Sequence, residues 1–120
     1  MNIHIKSTNF SMTPGIEGFI RSKMLSIRKF FEPTVDDDEV LVEFEVERST
    51  HHRKGDVFHA EANVTHKGDL FRARSNKFDI RVAVDDVRDQ VERQISKSRT
   101  RHFELVKRGA RMIKKMLRRK

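Results

Sequence analysis

The sequence predicts an α+β domain in which four strands and two helices follow one another in the order β-α-β-β-β-α. Three observations predict it. Four segments alternate apolar and polar residues, as half-buried strands do. Two other segments repeat apolar residues every three or four positions, as amphipathic helices do. Turn residues separate the last three strands, so these strands pair into a sheet and both helical stripes cover one side of it.

The first strand and the first helix lie near the start of the chain. "NIHIKS" alternates, with Ile3 and Ile5 on one face, and predicts the first strand. Residues 12–33, "MTPGIEGFIRSKMLSIRKFFEP", predict the first helix, because Thr13 can cap it and Pro14 suits its first position. The predicted buried stripe of this helix consists of Ile16, Ile20, Met24, Ile27 and Phe31.

The other strands and the second helix follow in the second part of the chain. Alternation at 39–49 ("EVLVEFEVERS"), 57–66 ("VFHAEANVTH") and 70–75 ("LFRARS") predicts three strands. "DDDE", "THHRKGD" and "KGD" are the turns or loops that precede them. The second helix is predicted from about Asp79 towards Ser98. Its predicted buried stripe consists of Ile80, Val84, Val87, Val91 and Ile95.

Length and composition limit the possible functions. A chain of 120 residues is the size of one domain with a modest core. It has no Cys, which excludes disulfides and thiolate chemistry. It has no apolar leader and no long apolar run, so we expect neither a signal peptide nor a membrane span, and a cytoplasmic protein is predicted.

Positive charge is concentrated at the end of the chain. Residues 1–95 hold 15 Lys and Arg against 17 Asp and Glu, a net charge of −2. Residues 96–120 hold 11 Lys and Arg against Glu104 alone, a net charge of +10. We therefore predict a body at 1–98 and a basic tail at 99–120 that meets a polyanion, nucleic acid above all. Apolar residues spaced three and four apart in the tail are typical of a helix, although Gly109 disfavours one.

Two stretches resemble the helices of a known family. "TPGIEGFIRSKMLSIRKFF" and "AVDDVRDQVERQISK" resemble both helices of the ribosome hibernation-promoting factors, also called ribosome-associated inhibitors or sigma-54 modulation proteins. "FHAEANV" and "GDLFRARS" resemble that family's third and fourth strands, and the resemblance spans about residues 1–99. In the second helix the matching positions are Val84, Asp85, Asp89, Val91, Glu92, Arg93, Gln94, Ile95 and Lys97.

The resemblance implies a fold and a function. It implies a four-stranded sheet with two helices on one side, in a layout like that of double-stranded-RNA-binding domains. It further implies a non-catalytic factor that binds rRNA of the small ribosomal subunit in the decoding channel and inhibits translation during hibernation or stress. No cofactor and no small-molecule substrate are implied. The chain is too short for the second, dimerising domain of longer relatives, so we expect a monomer off the ribosome.

The resemblance also implies RNA-binding residues. The basic positions of the family's helices match Lys23 and Lys29 on the first helix and Arg93 and Lys97 on the second, whereas a further basic position is Gln90 here. Arg93, Lys97 and Arg101 are spaced four apart, so they lie along one line if the helix persists to Arg101. The predicted RNA-binding set is Lys23, Lys29, Arg93, Lys97, Arg99 and Arg101.

Catalysis and metal binding are not predicted. His51 with His52, or His59 with His66, could hold a metal, but no ligand motif such as H-E-x-x-H accompanies them. The alternating glutamates of the second strand lack a nucleophile and an apolar pocket, so no enzyme is predicted.

Two other functions stay open from the sequence. The tail could form a basic amphipathic helix that binds a membrane surface or a protein partner. The domain could bind double-stranded RNA away from the ribosome, although "NKFDIRVAVDD" lacks the lysine-rich opening turn expected at the start of the last helix for that role.

Overall fold

The computed structural model describes residues 1–31, 39–50 and 55–118 of the chain. The predicted order of strands and helices is confirmed. Residues 36–38 of the predicted turn and 51–54 of the predicted loop lie outside the described residues. The elements are β1 (Asn2–Thr8), α1 (Pro14–Leu25), a 3₁₀ helix (Ser26–Phe30), β2 (Val40–Ser49), β3 (Val57–His66), β4 (Asp69–Lys77) and α2 (Ile80–Arg118).

The first helix begins as predicted but changes type before its predicted end. The Thr13 side chain accepts a hydrogen bond from the Ile16 amide at 3.2 Å, and Pro14 opens the helix. At Ser26 the α-helix gives way to the 3₁₀ helix. There the Ser26 hydroxyl donates to the Lys23 carbonyl at 2.6 Å, a local bond that competes with regular helical pairing. The apolar stripe continues regardless, since Ile27 is fully buried.

The four strands form one mixed sheet in the order β1-β2-β3-β4. β1 pairs with β2 in parallel, and the other neighbours are antiparallel. β3 and β4 are joined by a two-residue turn at Lys67 and Gly68, whose φ angles are 47° and 84°. Positive φ at both central positions matches the twist of a tight hairpin, and glycine adopts it without strain.

The core lies between one face of the sheet and the two helices. Along β2 the buried side chains alternate, so Val42 and Phe44 face the helices while Glu43 faces away. The predicted helical stripes supply the other side of this core. The fully buried helical residues are Ile20, Met24, Ile27, Ala83, Val84, Val87 and Val91.

The opposite face of the sheet is open and polar. One cross-strand row reads Lys6, Glu45, Glu61, Arg74, so two central acids are flanked by two bases. Arg74 lies 3.8 Å from Glu61, and Thr8 donates to Glu45 at 3.2 Å. Two glutamates of this face, Glu45 and Glu61, thus have partners within the sheet.

The second helix extends beyond the predicted end near Ser98. α2 continues without interruption to Arg118, through Gly109, and contains 39 residues. A helix of that length spans about 58 Å. Residues 99–118, here named the extension, are exposed, and a few of them border a groove at the body. Among the described helices, none combines the length and apolarity needed to cross a bilayer.

Candidate nucleic-acid interface

Six basic side chains on the exposed side of α2 form a continuous row. We name this row the cationic strip: Arg93, Lys97, Arg101, Arg108, Arg111 and Lys115. At about 100° per residue, all six fall within about 80° of the helix circumference. Along the axis they extend for about 33 Å. The strip therefore presents one line of positive charge that begins on the body and continues along the extension.

The core fixes which side of α2 faces solvent. Val84, Val87 and Val91 are fully buried against the sheet, and this sets the rotation of the helix. Arg93 and Lys97 then lie on the opposite side and are exposed. Because the helix continues past Ser98, Arg101 follows them on the same line. The helix thus persists to Arg101, as the predicted alignment of these three residues requires.

The acids near the start of α2 are engaged by other bases. Asp85 lies 2.8 Å from the Lys23 ammonium, and Glu92 and Asp89 both pair with Arg88. In the part of the chain that the structure describes, no carboxylate forms a salt bridge with a member of the strip. Glu104 is the one acid that falls within the same arc of the extension. The charge of the strip is therefore available to an outside partner.

Gln90 and Gln94, next to the start of the strip, attach α2 to the outer edge of β4. The Gln94 side chain accepts from the Arg72 amide at 3.2 Å and donates to the Arg72 carbonyl at 2.8 Å. Gln90 donates to the Arg74 carbonyl at 2.8 Å. Both glutamines thereby satisfy backbone groups on the outer edge of β4, which would otherwise be open to another strand.

Arg99 lies on a different side of the helix from the strip. Its guanidinium donates to the carbonyls of Phe30 and Phe31, at 3.4 and 3.3 Å, at the end of the 3₁₀ helix. The orphan carbonyls at a helix end favour such a cation. Arg99 therefore ties α2 to the body where the extension begins.

Lys23 and Lys29 lie apart from the strip on the first helical segment. Lys23 is half-buried, pairs with Asp85 and lies over the Phe19 ring. Lys29 is exposed and lies 5.3 Å from the centre of the Phe30 ring. The structure thus brings together three of the six predicted residues, Arg93, Lys97 and Arg101, and holds the other three elsewhere.

Three members of the strip were absent from the predicted set. Arg108, Arg111 and Lys115 join it because α2 continues through them as one helix. Arg101, Arg108 and Lys115 are spaced seven apart, and this period was the signal available in the sequence.

His59 and His66, which were considered as a possible metal pair, lie apart in the structure. The two residues are seven positions apart on β3, so the alternation of the strand places them on opposite faces. His59 pairs with Asn76 on the open face, whereas His66 packs against Phe31. His51 and His52 lie outside the described residues. Within those residues, no three His, Cys, Asp or Glu side chains form a metal-binding group.

The side of the extension opposite the strip is apolar. We name it the apolar face: Phe103, Leu105, Val106, Met112, Ile113, Met116 and Leu117. These side chains are between 58% and 70% exposed. They continue the line of the buried stripe of α2 beyond the end of the sheet, where none of the described strands covers them. One helix thus has a covered apolar side in the body and an uncovered one in the extension.

Together these features define a class: a small α+β domain with two helices on one face of a mixed sheet and a cationic strip along its second helix. Residues 3–102 match the model of the family described as Sigma 54 modulation protein / S30EA ribosomal protein. The chain belongs to that family of ribosome-associated proteins, and the resemblance noted in its helices and strands is confirmed. The match ends at residue 102, so the apolar face lies wholly beyond it.

Two solved structures resemble the chain in fold. The N-terminal domain of Protein Y from Thermus thermophilus is 21% identical, with a TM-score of 0.66 over 81% of this chain and 98% of that one. A ribosomal subunit interface protein from Coxiella burnetii is 19% identical, with a TM-score of 0.67 over 83% of this chain and 99% of that one. These likenesses confirm the α+β fold. Comparison with curated protein sequences gave no match.

Proposed function

We propose that this protein binds the small ribosomal subunit in the decoding channel, contacts its rRNA through the cationic strip, and inhibits translation. Membership in a ribosome-associated family supports the ribosome as the partner. The observation that carries the proposal is the strip itself, six Lys and Arg side chains on one side of a preformed helix that form no salt bridge with any described residue. Its task is occupancy of a binding site, as in hibernation or stress, and no catalysis is involved.

Electrostatics explains how such a strip binds RNA. Each base that neutralises a phosphate releases a condensed counterion, and this release supplies most of the affinity. Because the strip is already helical, no ordering of the chain is required before its bases meet phosphates. The open face of the sheet contributes little, since it carries four glutamates that repel phosphate, and among the described residues only Glu61 of these forms a salt bridge with a basic side chain.

The other predicted residues take secondary roles in this proposal. Lys29 is exposed beside the 3₁₀ helix and can reach a phosphate directly. Lys23 must first release Asp85, so its contribution is smaller. Arg99 holds the base of the extension against the body and so positions the strip. The protein acts in the cytoplasm, where ribosomes are, as a monomer when off the ribosome, without a cofactor or small-molecule substrate.

Co-sedimentation with purified small subunits at physiological ionic strength tests the proposal. The variant R93E/R101E reverses two charges of the strip, and R48E/K77E reverses two exposed charges on β2 and β4 as a matched control. We expect the wild type and the control to pellet with subunits, and R93E/R101E to bind at least about tenfold more weakly. Equal binding of the two variants would contradict the assignment of the strip.

Two further readouts define the place of binding and its effect. Messenger RNA and transfer RNA bound beforehand should exclude the protein, because all three would occupy the same channel. In cell-free translation the wild type should lower protein synthesis and R93E/R101E should not. If free double-stranded RNA of matched length binds as tightly as the subunit, the non-ribosomal alternative is correct.

A further inference from the structure

The apolar face of the extension lacks a partner within the described residues. Its seven large side chains are more than half exposed, and they are concentrated in residues 103–117. At about 100° per residue they fill about half of the helix circumference, and bases fill the other half. A cluster of this size on one side of a helix marks an interaction surface.

We propose that the extension binds the surface of an anionic lipid bilayer, with its axis parallel to the surface and its apolar face at the boundary of the acyl chains. This inference goes beyond the proposed function and does not depend on it. A helix with a Lys- and Arg-rich polar side and Phe, Leu, Ile and Met on the other is typical of interfacial membrane binding.

Charge decides between a bilayer and a second copy of the chain. Residues 99–118 hold eight Lys and Arg against Glu104, a net charge of +7. Lys107 and Lys114 flank one border of the apolar face, and Arg101 flanks the other. Two extensions packed face to face would bring these like charges together. An anionic surface attracts the same residues.

RNA cannot cover the apolar face. RNA phosphates can contact the Lys and Arg side chains of the strip, but they leave the hydrocarbon side chains of the apolar face in water. RNA offers little apolar surface unless its nucleobases unstack. A bilayer supplies both chemistries, since anionic headgroups lie directly above an acyl layer.

The border of the apolar face fits a boundary between headgroups and acyl chains. The Lys107 ammonium lies 4.8 Å from the centre of the Phe103 ring, so a base folds over the edge of an apolar side chain. Long basic side chains at such a border bury their methylene stems and keep their charge at the headgroups. With the apolar face in the bilayer, Arg108 and Arg111 point away from it and stay available to other anions.

Vesicle flotation of the full chain tests this inference. The probes are vesicles of phosphatidylcholine alone and vesicles of equal parts phosphatidylcholine and phosphatidylglycerol. We expect the wild type to float with the anionic vesicles and to remain largely unbound with the neutral ones. The variant I113Q/L117Q removes apolar surface without changing charge, and it should weaken flotation at least about tenfold. R108Q/R111Q should weaken it less, because it retains the apolar face.

Three outcomes would overturn the inference. The wild type could fail to float with anionic vesicles. I113Q/L117Q could float as well as the wild type, which would mean purely ionic attraction. Sedimentation could reveal a dimer of the wild type that I113Q/L117Q abolishes while vesicles remain unbound, which would assign the apolar face to a second copy.

Subunit binding separates this inference from the proposed function. Both substituted residues lie outside the core and outside the strip, so I113Q/L117Q should pellet with small subunits like the wild type. Loss of flotation alone therefore concerns the apolar face. Failure of the wild type to bind subunits would concern only the ribosomal proposal.

Discussion

The two halves of α2 share the same amphipathic pattern, but one half packs against the sheet and the other is exposed to solvent. From Ile80 to Ile95 the helix buries an apolar stripe against the sheet, and its acids and bases nearly balance. From 99 to 118 it continues the same apolar line and the same polar side, but the described sheet does not reach beneath it and basic residues outnumber acidic ones. The same apolar stripe therefore stabilises the fold in one half of the helix and stays exposed, open to a partner, in the other.

The largest expected effect comes from replacing one valine by aspartate in each half of α2 and comparing the two variants. Val91 is fully buried in the body, and Val106 is 58% exposed in the extension. Val91→Asp should lower the free energy of unfolding by more than about 3 kcal/mol, because a carboxylate is then buried without a partner. Val106→Asp should leave the thermal melt of the body unchanged. Equal destabilisation by both would show that the extension is packed.

A smaller effect is expected where α2 meets the edge of β4. Gln94→Ala removes both bonds to the Arg72 backbone, so we expect a loss of about 1 kcal/mol in denaturant unfolding. Gln90→Ala removes a single bond and should cost less. If Gln94→Ala leaves stability unchanged but promotes concentration-dependent association, the main task of this side chain is to block edge pairing.

A still smaller effect on stability should distinguish Arg99 from Arg101, the nearby member of the strip. Arg99→Ala should cost about 0.5 kcal/mol of stability, because one exposed and one part-buried hydrogen bond to the end of the 3₁₀ helix are lost. Arg101→Ala should leave stability unchanged and weaken subunit binding instead. The opposite pattern would exchange the positioning and binding roles of these two arginines.

The smallest expected effect on stability comes from removing most of the extension. A chain ending at His102 keeps the family-matched region and every core residue. Its melting temperature should match that of the full chain. Binding to small subunits should weaken and become less sensitive to salt, because Arg108, Arg111 and Lys115 are lost. A large drop in melting temperature would contradict the division of α2 into two halves.

Most of the fold could be predicted because its signals are local. Alternation placed all four strands, and the Thr13 cap with Pro14 placed the start of α1. The end of α2 was harder to predict, since the apolar face of the extension stays exposed among the described residues and Gly109 disfavours a helix. The division into a body at 1–98 and a tail at 99–120 stays a prediction about function.

The site could be predicted only in part, because side chains choose partners that are distant in sequence. The row of Arg93, Lys97 and Arg101 followed from a spacing of four. The hydrogen bond between Gln94 and β4 joins residues that are 22 positions apart in the sequence. The hydrogen bonds between Arg99 and the end of the 3₁₀ helix join residues that are 68 and 69 positions apart. No local pattern in the sequence encodes these contacts. The RNA-binding roles of the predicted residues stay predictions.

Salt dependence of subunit binding tests the central claim most directly. The dissociation constant for purified small subunits should be measured over a series of salt concentrations for the wild type and R93Q/K97Q/R101Q, with R48Q/R74Q/K77Q as the matched control. We predict that the slope of log affinity against log salt falls by about one for each neutralised strip residue and stays unchanged in the control. A slope for the strip variant equal to that of the wild type would contradict phosphate contact by the cationic strip.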